Sequence, residues 1–213
     1  MTKSSLTIAT ALLALCAAAC NHDRESKQPT ASGDEIFQLC VSCHGPNGQG
    51  EQMFDAPAIA GLPQWYVESA LKKFRNGARG THPGDQTGMQ MRPMALSLHN
   101  DADIETIAAY VARMTPPSPG PTLEGGDASR GQSLYAPCTA CHGQDGTGNE
   151  QLKAPPIRQM SDWYMLTQLE KFKSGARGTN PKDLEGAQMR PNAVALADEQ
   201  AMKDVLAYVK TLK

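Results

Sequence analysis

A chain of 213 residues has room for two small domains, and 20 bases against 22 acids leave it without the basic surface that nucleic-acid binding demands. Only 5% of its residues are aromatic, so two separate cores need another filler, and a large planar cofactor in each would serve.

In chain order, the first segment carries Lys3 and then an almost wholly apolar run from Leu6 to Ala19. That run is too short to span a bilayer comfortably and ends on Ala17-Ala18-Ala19, so residues 1–19 read as a signal peptide for export. Cys20 follows directly, where bacterial lipoproteins are cut and lipidated, and the expectation is a lipid anchor there. Ala17 stands where such signals usually carry Leu; the alternative is ordinary cleavage after Ala19, leaving an exposed thiol in an oxidising compartment. Residues 20–32 are a polar tether.

The body, residues 33–213, carries helical signals and no convincing strand alternation. A first helix is expected from about Asp34 to Cys43, a second from Trp65 to Gly77, which serves as a C-cap glycine, and a third after Asn100, a good N-cap followed by Asp101 and Asp103. Pro116, Pro117, Pro119 and Pro121, with Gly120, Gly125 and Gly126, make residues 116–128 a semi-extended linker. Helices then recur from Ser129 to Cys141, from Trp163 to Gly175, and after Asp198. Both halves read as all-α, in tandem: domain 1 over 33–115 and domain 2 over 129–213.

The second half repeats the first. A shift of 98 residues lays Cys40, Cys43 and His44 on Cys138, Cys141 and His142 without a gap. It also lays Trp65-Tyr66 on Trp163-Tyr164, Gly77-Ala78-Arg79-Gly80-Thr81 on Gly175-Ala176-Arg177-Gly178-Thr179, and Gln90-Met91-Arg92-Pro93 on Gln188-Met189-Arg190-Pro191. The period is a domain length, so this is a domain duplication.

Cys40-Val41-Ser42-Cys43-His44 and Cys138-Thr139-Ala140-Cys141-His142 have the C-x-x-C-H spacing of c-type haem attachment. Two thiols three residues apart reach one haem edge, and the next residue offers a neutral imidazole to the iron. A redox C-x-x-C would sit beside a βαβ pattern, and none is visible; a four-cysteine zinc site would have to recruit both halves and leave both histidines idle. The expectation is two covalently bound c-type haems with His44 and His142 as iron ligands.

A methionine sulfur opposite the histidine would make a closed electron-transfer haem. Of Met53, Met89, Met91 and Met94, only Met91 has a Met counterpart, Met189; the others match Gln151, Ala187 and Asn192. Met91 and Met189 both lie 47 residues beyond their histidine, in what reads as an irregular loop before the last helix. His82 and His99 match Asn180 and Ala197 and read as surface histidines. Pro57 and Pro155 are candidates to hold the free nitrogen of each histidine by a backbone carbonyl, Arg79 and Arg177 to pair with haem propionates, and Trp65 and Trp163 to pack around the haem.

These residues resemble the dihaem cytochromes of the c4 type, two fused class I cytochrome c domains. The resemblance spans about residues 33 to 213 and rests on Cys-x-x-Cys-His-Gly, the following glycine-rich turn, the Trp-Tyr helix, the Gly-Ala-Arg-Gly segment and the Met segment. It implies axial pairs His44–Met91 and His142–Met189, proline carbonyls on the histidines from Pro57 and Pro155, two haem domains packed with propionate edges close, and periplasmic electron transfer between redox partners such as a membrane oxidase or dehydrogenase. The competing readings are a dihaem enzyme of the peroxidase or thiosulfate-oxidising type, which would need an open or unusual haem, and a fixed subunit of a membrane complex. Residues 33–115 carry 9 acids and 6 bases and residues 127–213 carry 10 acids and 11 bases, so the halves differ in charge.

Overall fold

The computed structural model describes residues 28–212; the expected signal peptide and Cys20 lie outside the described residues. Among the described residues there are helices, two 3-10 turns and two isolated bridges, and no strand. No described helix is long and apolar enough to cross a membrane.

The first domain holds α1 (Gly33–His44), a 3-10 turn (Gln52–Phe54), α2 (Gln64–Arg75), α3 (Gln86–Leu96) and α4 (Asp101–Arg113). Ser32 and Glu35 form a capping box at the head of α1, and the Asn100 side chain accepts from Asp103 N at 2.8 Å at the head of α4. The apolar stripe Ile104, Ile107, Ala108 and Val111 of α4 is buried against Ile36 and Phe37 of α1 and Leu71 and Phe74 of α2. The helices α1 and α4 cross at Gly33, where an added Cβ would lie 2.6 Å from Tyr110 Cβ.

The second domain repeats the plan with α5 (Ala128–Tyr135), a 3-10 turn (Ala136–Cys138), α6 (Thr139–His142), α7 (Asp162–Ser174), α8 (Leu184–Ala195) and α9 (Glu199–Val209). Its crossing point is Gly131, whose Cβ would meet Asp204 O at 1.9 Å. Phe37 packs on Tyr110 with ring centroids 5.4 Å apart, and Tyr135 packs on Tyr208 at 5.5 Å, so the duplicated helix crossings are also duplicated aromatic contacts.

Two expectations are corrected. The single helix from Ser129 to Cys141 is broken into α5, a 3-10 turn and α6, because Pro137 has no N–H to donate and its ring crowds the preceding turn. The segment holding Met91 and Met189 is helix, not loop. Asp85 caps α3 by accepting from Gly88 N at 3.2 Å, and Asp183 caps α8 through Gly186 N at 3.2 Å. Pro93 and Pro191 sit inside these helices, each at the cost of one backbone hydrogen bond.

Between α4 and α5 the chain has no helix or strand. It is tied to the second domain: Thr122 N and Leu123 N donate to Asp162 Oδ2 at 2.7 and 2.9 Å. The domains pack directly on each other. Leu62, Ile59, Tyr66 and Val67 of the first join the core of the second, beside Met160, Met165 and Leu169.

Candidate functional site

Each C-x-x-C-H motif ends a helix. The last turn of α1 presents Cys40, Cys43 and His44, and Gly45 leaves it with φ 78, a backbone that favours glycine. The last turn of α6 presents Cys141 and His142 in the same way, with Gly143 at φ 80. The chain then curls back so that the Pro57 carbonyl stands 2.8 Å from His44 Nδ1, and the Pro155 carbonyl 2.9 Å from His142 Nδ1. Each ring donates through Nδ1, which leaves Nε2 as the nitrogen able to bind a metal. Burial pulls both imidazoles below the usual histidine range, against the opposing pull of the proline carbonyl, which keeps them neutral as ligands must be. Burial also pushes the Cys40 thiol up to about 11, with Cys43 beside it adding to the shift.

In the first domain these groups open on one cleft of about 1370 Å³, its open mouth included. Cys40, Cys43, His44, Pro57, Arg79 and Met91 all line it, so residues separated by 51 positions of sequence meet around one space. The rest of the wall is apolar, with Ile59, Val67, Leu71, Phe74, Ile107 and Val111. In the second domain Cys138 and Met189 both pack against the core formed by Met165, Leu169, Phe172 and Val205. The surface histidines behave as expected. His82 is exposed and accepts from Gly84 N, and His99 is exposed beside Asp103.

The two arginines of the Gly-Ala-Arg-Gly segments are not solvated helix-end charges. Arg79 is 7% exposed and stacks 4.2 Å from the Phe74 ring centroid, and Arg177 stacks 4.3 Å from Phe172. The Nε atoms of Arg79, Arg177, Arg92 and Arg190 are buried with no hydrogen-bond partner. Burial, with Arg79 alongside, pushes the Arg177 guanidinium down to about 10. Buried cations that repel each other and keep idle donors call for anions between them. A flat apolar macrocycle with two carboxylates, attached at two thiols and ligated by one imidazole and one thioether, answers the cleft, the donor set and the idle Nε–H groups together. The residues present fit a c-type haem.

The groups that join the domains form no motif in the sequence. Lys73 Nζ lies 2.7 Å from Asp183 Oδ1 and 2.7 Å from Glu185, and Lys171 Nζ lies 2.6 Å from Asp85 Oδ1 and bonds to Thr87. The two contacts exchange under the same 98-residue shift, as in an isologous dimer folded into one chain. Asn180 adds a bond to Gly77 O at 2.9 Å, and Gln159 one to Gly61 O at 3.3 Å. Burial would raise the Asp85 carboxyl, but Lys171, Arg79 and Gly80 N outweigh it and hold the group below the usual carboxylate range. Tyr164, Met160 and Gln168 of the second domain line the first domain's cleft, and although burial alone would lower it, Tyr164 and Tyr66 help hold the Arg79 guanidinium above its usual range. Tyr66 and Tyr164 thus occupy the position expected of their tryptophan neighbours: Trp65 and Trp163 are only half-buried, outside both cores, and Lys153 lies over the Trp65 ring at 5.5 Å.

Comparison with known proteins agrees with this geometry. The cytochrome c family model matches twice, over residues 30–115 and 128–213. The chain is 30% identical over 198 residues to a cytochrome c4 of Azotobacter vinelandii, covering 85% of this chain and 88% of that one. It is 29% identical over 173 residues to a thiosulfate dehydrogenase electron acceptor of Thiomonas intermedia strain K12, covering 76% and 73%. The solved cytochrome c4 of Acidithiobacillus ferrooxidans superposes with a TM-score of 0.66 at 28% identity, covering 83% of this chain and 99% of that chain.

Proposed function

Because the chain belongs to the cytochrome c family, as a two-haem electron-transfer protein of the cytochrome c4 type, we propose that it shuttles single electrons between respiratory redox partners with both irons closed at their two axial positions. His44 with Met91 and His142 with Met189 are the axial pairs in this reading. The observation that carries it is the cleft that brings Cys40, Cys43, His44 and Met91 to one space, with the same residues at the same register in the second half.

A haem held there supplies a one-electron ferrous–ferric couple. The remaining work belongs to the chain's own residues. Cys40, Cys43, Cys138 and Cys141 tether the edge of each group. Pro57 and Pro155 hold each imidazole in one tautomer and one orientation. The apolar walls exclude water, and the Met91 and Met189 thioethers, as ligands, would favour the reduced state. Arg79 and Arg177 would pair with the haem carboxylates. With both axial positions filled, no substrate reaches the metal, which is the reason for preferring a carrier to an enzyme.

The partners in this proposal are redox proteins, a membrane oxidase or a dehydrogenase; one relative is named for accepting electrons from thiosulfate dehydrogenase. The location is the periplasm, with a lipid anchor at Cys20. Mass spectrometry of the mature N-terminus would find a diacylated Cys20, and an unmodified thiol there would remove the anchor from the account. Exposing the native holoprotein to carbon monoxide and cyanide tests the carrier itself. Both haems should stay inert, and rapid binding at one of them would favour a dihaem enzyme.

A further inference from the structure

The duplication is broken at one position where the domains meet. Under the 98-residue shift, Gln168 of α7 falls on Ala70 of α2. Gln168 is only 9% exposed, and a side-chain amide buried that far is stable when its polar atoms find partners. One end has a partner, since Oε1 accepts from Arg177 Nη1 at 2.7 Å. A guanidinium carries donors only, so the oxygen has to be the end that faces Arg177, and the NH2 end is turned elsewhere. Among the described residues no group accepts a hydrogen bond from Gln168 Nε2. The residue belongs to the second domain, yet it lines the cleft of the first.

The two ends of this amide act on each other. The Arg177 cation polarises Oε1, which makes the hydrogens on Nε2 stronger donors. What Nε2 lacks is an acceptor, and the acceptors that a haem brings into the first cleft are its carboxylates. Gln168 is neutral, so it orients Arg177 through one of five donors without cancelling the charge. The first half offers nothing comparable, because Ala70 has only a methyl group at the matching position.

We propose that Gln168 is a cross-domain contact of the first domain's haem: anchored to Arg177 in its own domain, its amide donates to a carboxylate of the other domain's haem and so makes the two haems unlike. The inference rests on the two-haem carrier reading above. A donor on that carboxylate draws negative charge away from the iron, which favours the ferrous state of the first haem. The second haem has no matching donor, because the matching residue is Ala70.

The test is a potentiometric titration of the full-length holoprotein in which NMR follows the ferric haem methyl resonances. Overhauser effects between one set of methyls and Ile107, a wall residue of the first cleft, assign that set to the first haem. Gln168→Ala should lower the first haem's potential more than the second's. Gln168→Glu keeps an acceptor for Arg177, which holds the new carboxylate ionised, but it replaces the donor with a like charge. It should therefore lower the first haem's potential further than Gln168→Ala does. Both variants should keep the sulfur-to-iron bands, because no ligand is touched. A shift as large or larger at the second haem would overturn the proposal. So would no shift at either haem, the result if Nε2 meets only water. The bands of the wild type test the carrier reading separately: without them that reading falls, and the shifts still report whether Gln168 touches a haem.

Discussion

Met91 and Met189 do the most to decide what this chain does, and each can be tested alone. Met91→Ala should lose the sulfur-to-iron charge-transfer band of one haem, open that iron to carbon monoxide, and leave the other haem's band intact. Retention of the full band from both haems would refute the assignment. Asp85 allows a prediction with a definite sign. Its carboxyl lies below the usual range in the folded state, so its contribution to stability is complete above the unfolded carboxylate pKa, near 4, and is lost as pH falls through the lower folded value. Acid titration followed by small-angle scattering should show the domains separating in that low range, and Asp85→Asn should remove that dependence. Candidate ligand residues could be chosen from sequence because chemistry restricts them. Cysteine spacing admits few uses, and the 98-residue repeat singled out Met91 among the first half's methionines after His44. The idle Nε atoms of Arg92 and Arg190 were not legible, because an arginine's burial depends on what folds over it.

At the scale of elements, the helices follow their caps. Asp198 is exposed and accepts only from Ala201 N at 2.8 Å at the head of α9, so Asp198→Ala should cost about 1 kcal/mol in thermal or denaturant unfolding. Asn100 is 3% exposed and also donates to Gln28 O at 3.2 Å, so Asn100→Ala should cost nearer to about 2 kcal/mol. Equal losses at the two caps would count against that difference in burial. The helices α2, α4, α7 and α9 could be read from spacing and caps. The helix around Met91 could not, because Pro93 and a Gly-rich approach weigh towards a loop. A usable signal was present in Asp85-x-x-Gly88 and Asp183-x-x-Gly186, an N-cap pattern repeated at the same register. The opposite error occurred at Pro137, where one helix was expected from Ser129 to Cys141 across the proline.

For the whole molecule, the duplication is closed by a pair of exchanged ion pairs. Lys171 and Asp85 are both nearly buried, so Lys171→Met leaves an uncompensated carboxylate and should cost about 3–5 kcal/mol. The double variant Lys171→Met with Asp85→Asn should recover much of that loss, and a double variant as unstable as the single would show that the pair is not coupled. Sequence spacing identified two domains but could not say that they share walls, because Tyr164 and Met160 reach the first cleft only after the chains pack. The central claim is that one chain holds two closed, six-coordinate haems that exchange electrons and bind nothing. It is tested most directly by a potentiometric titration of the holoprotein followed in the visible spectrum. The account predicts two one-electron waves in the range of methionine-ligated haems, with the sulfur-to-iron band present for both in the ferric state. A single wave, or a second haem that lacks the band and binds an added ligand, would contradict it.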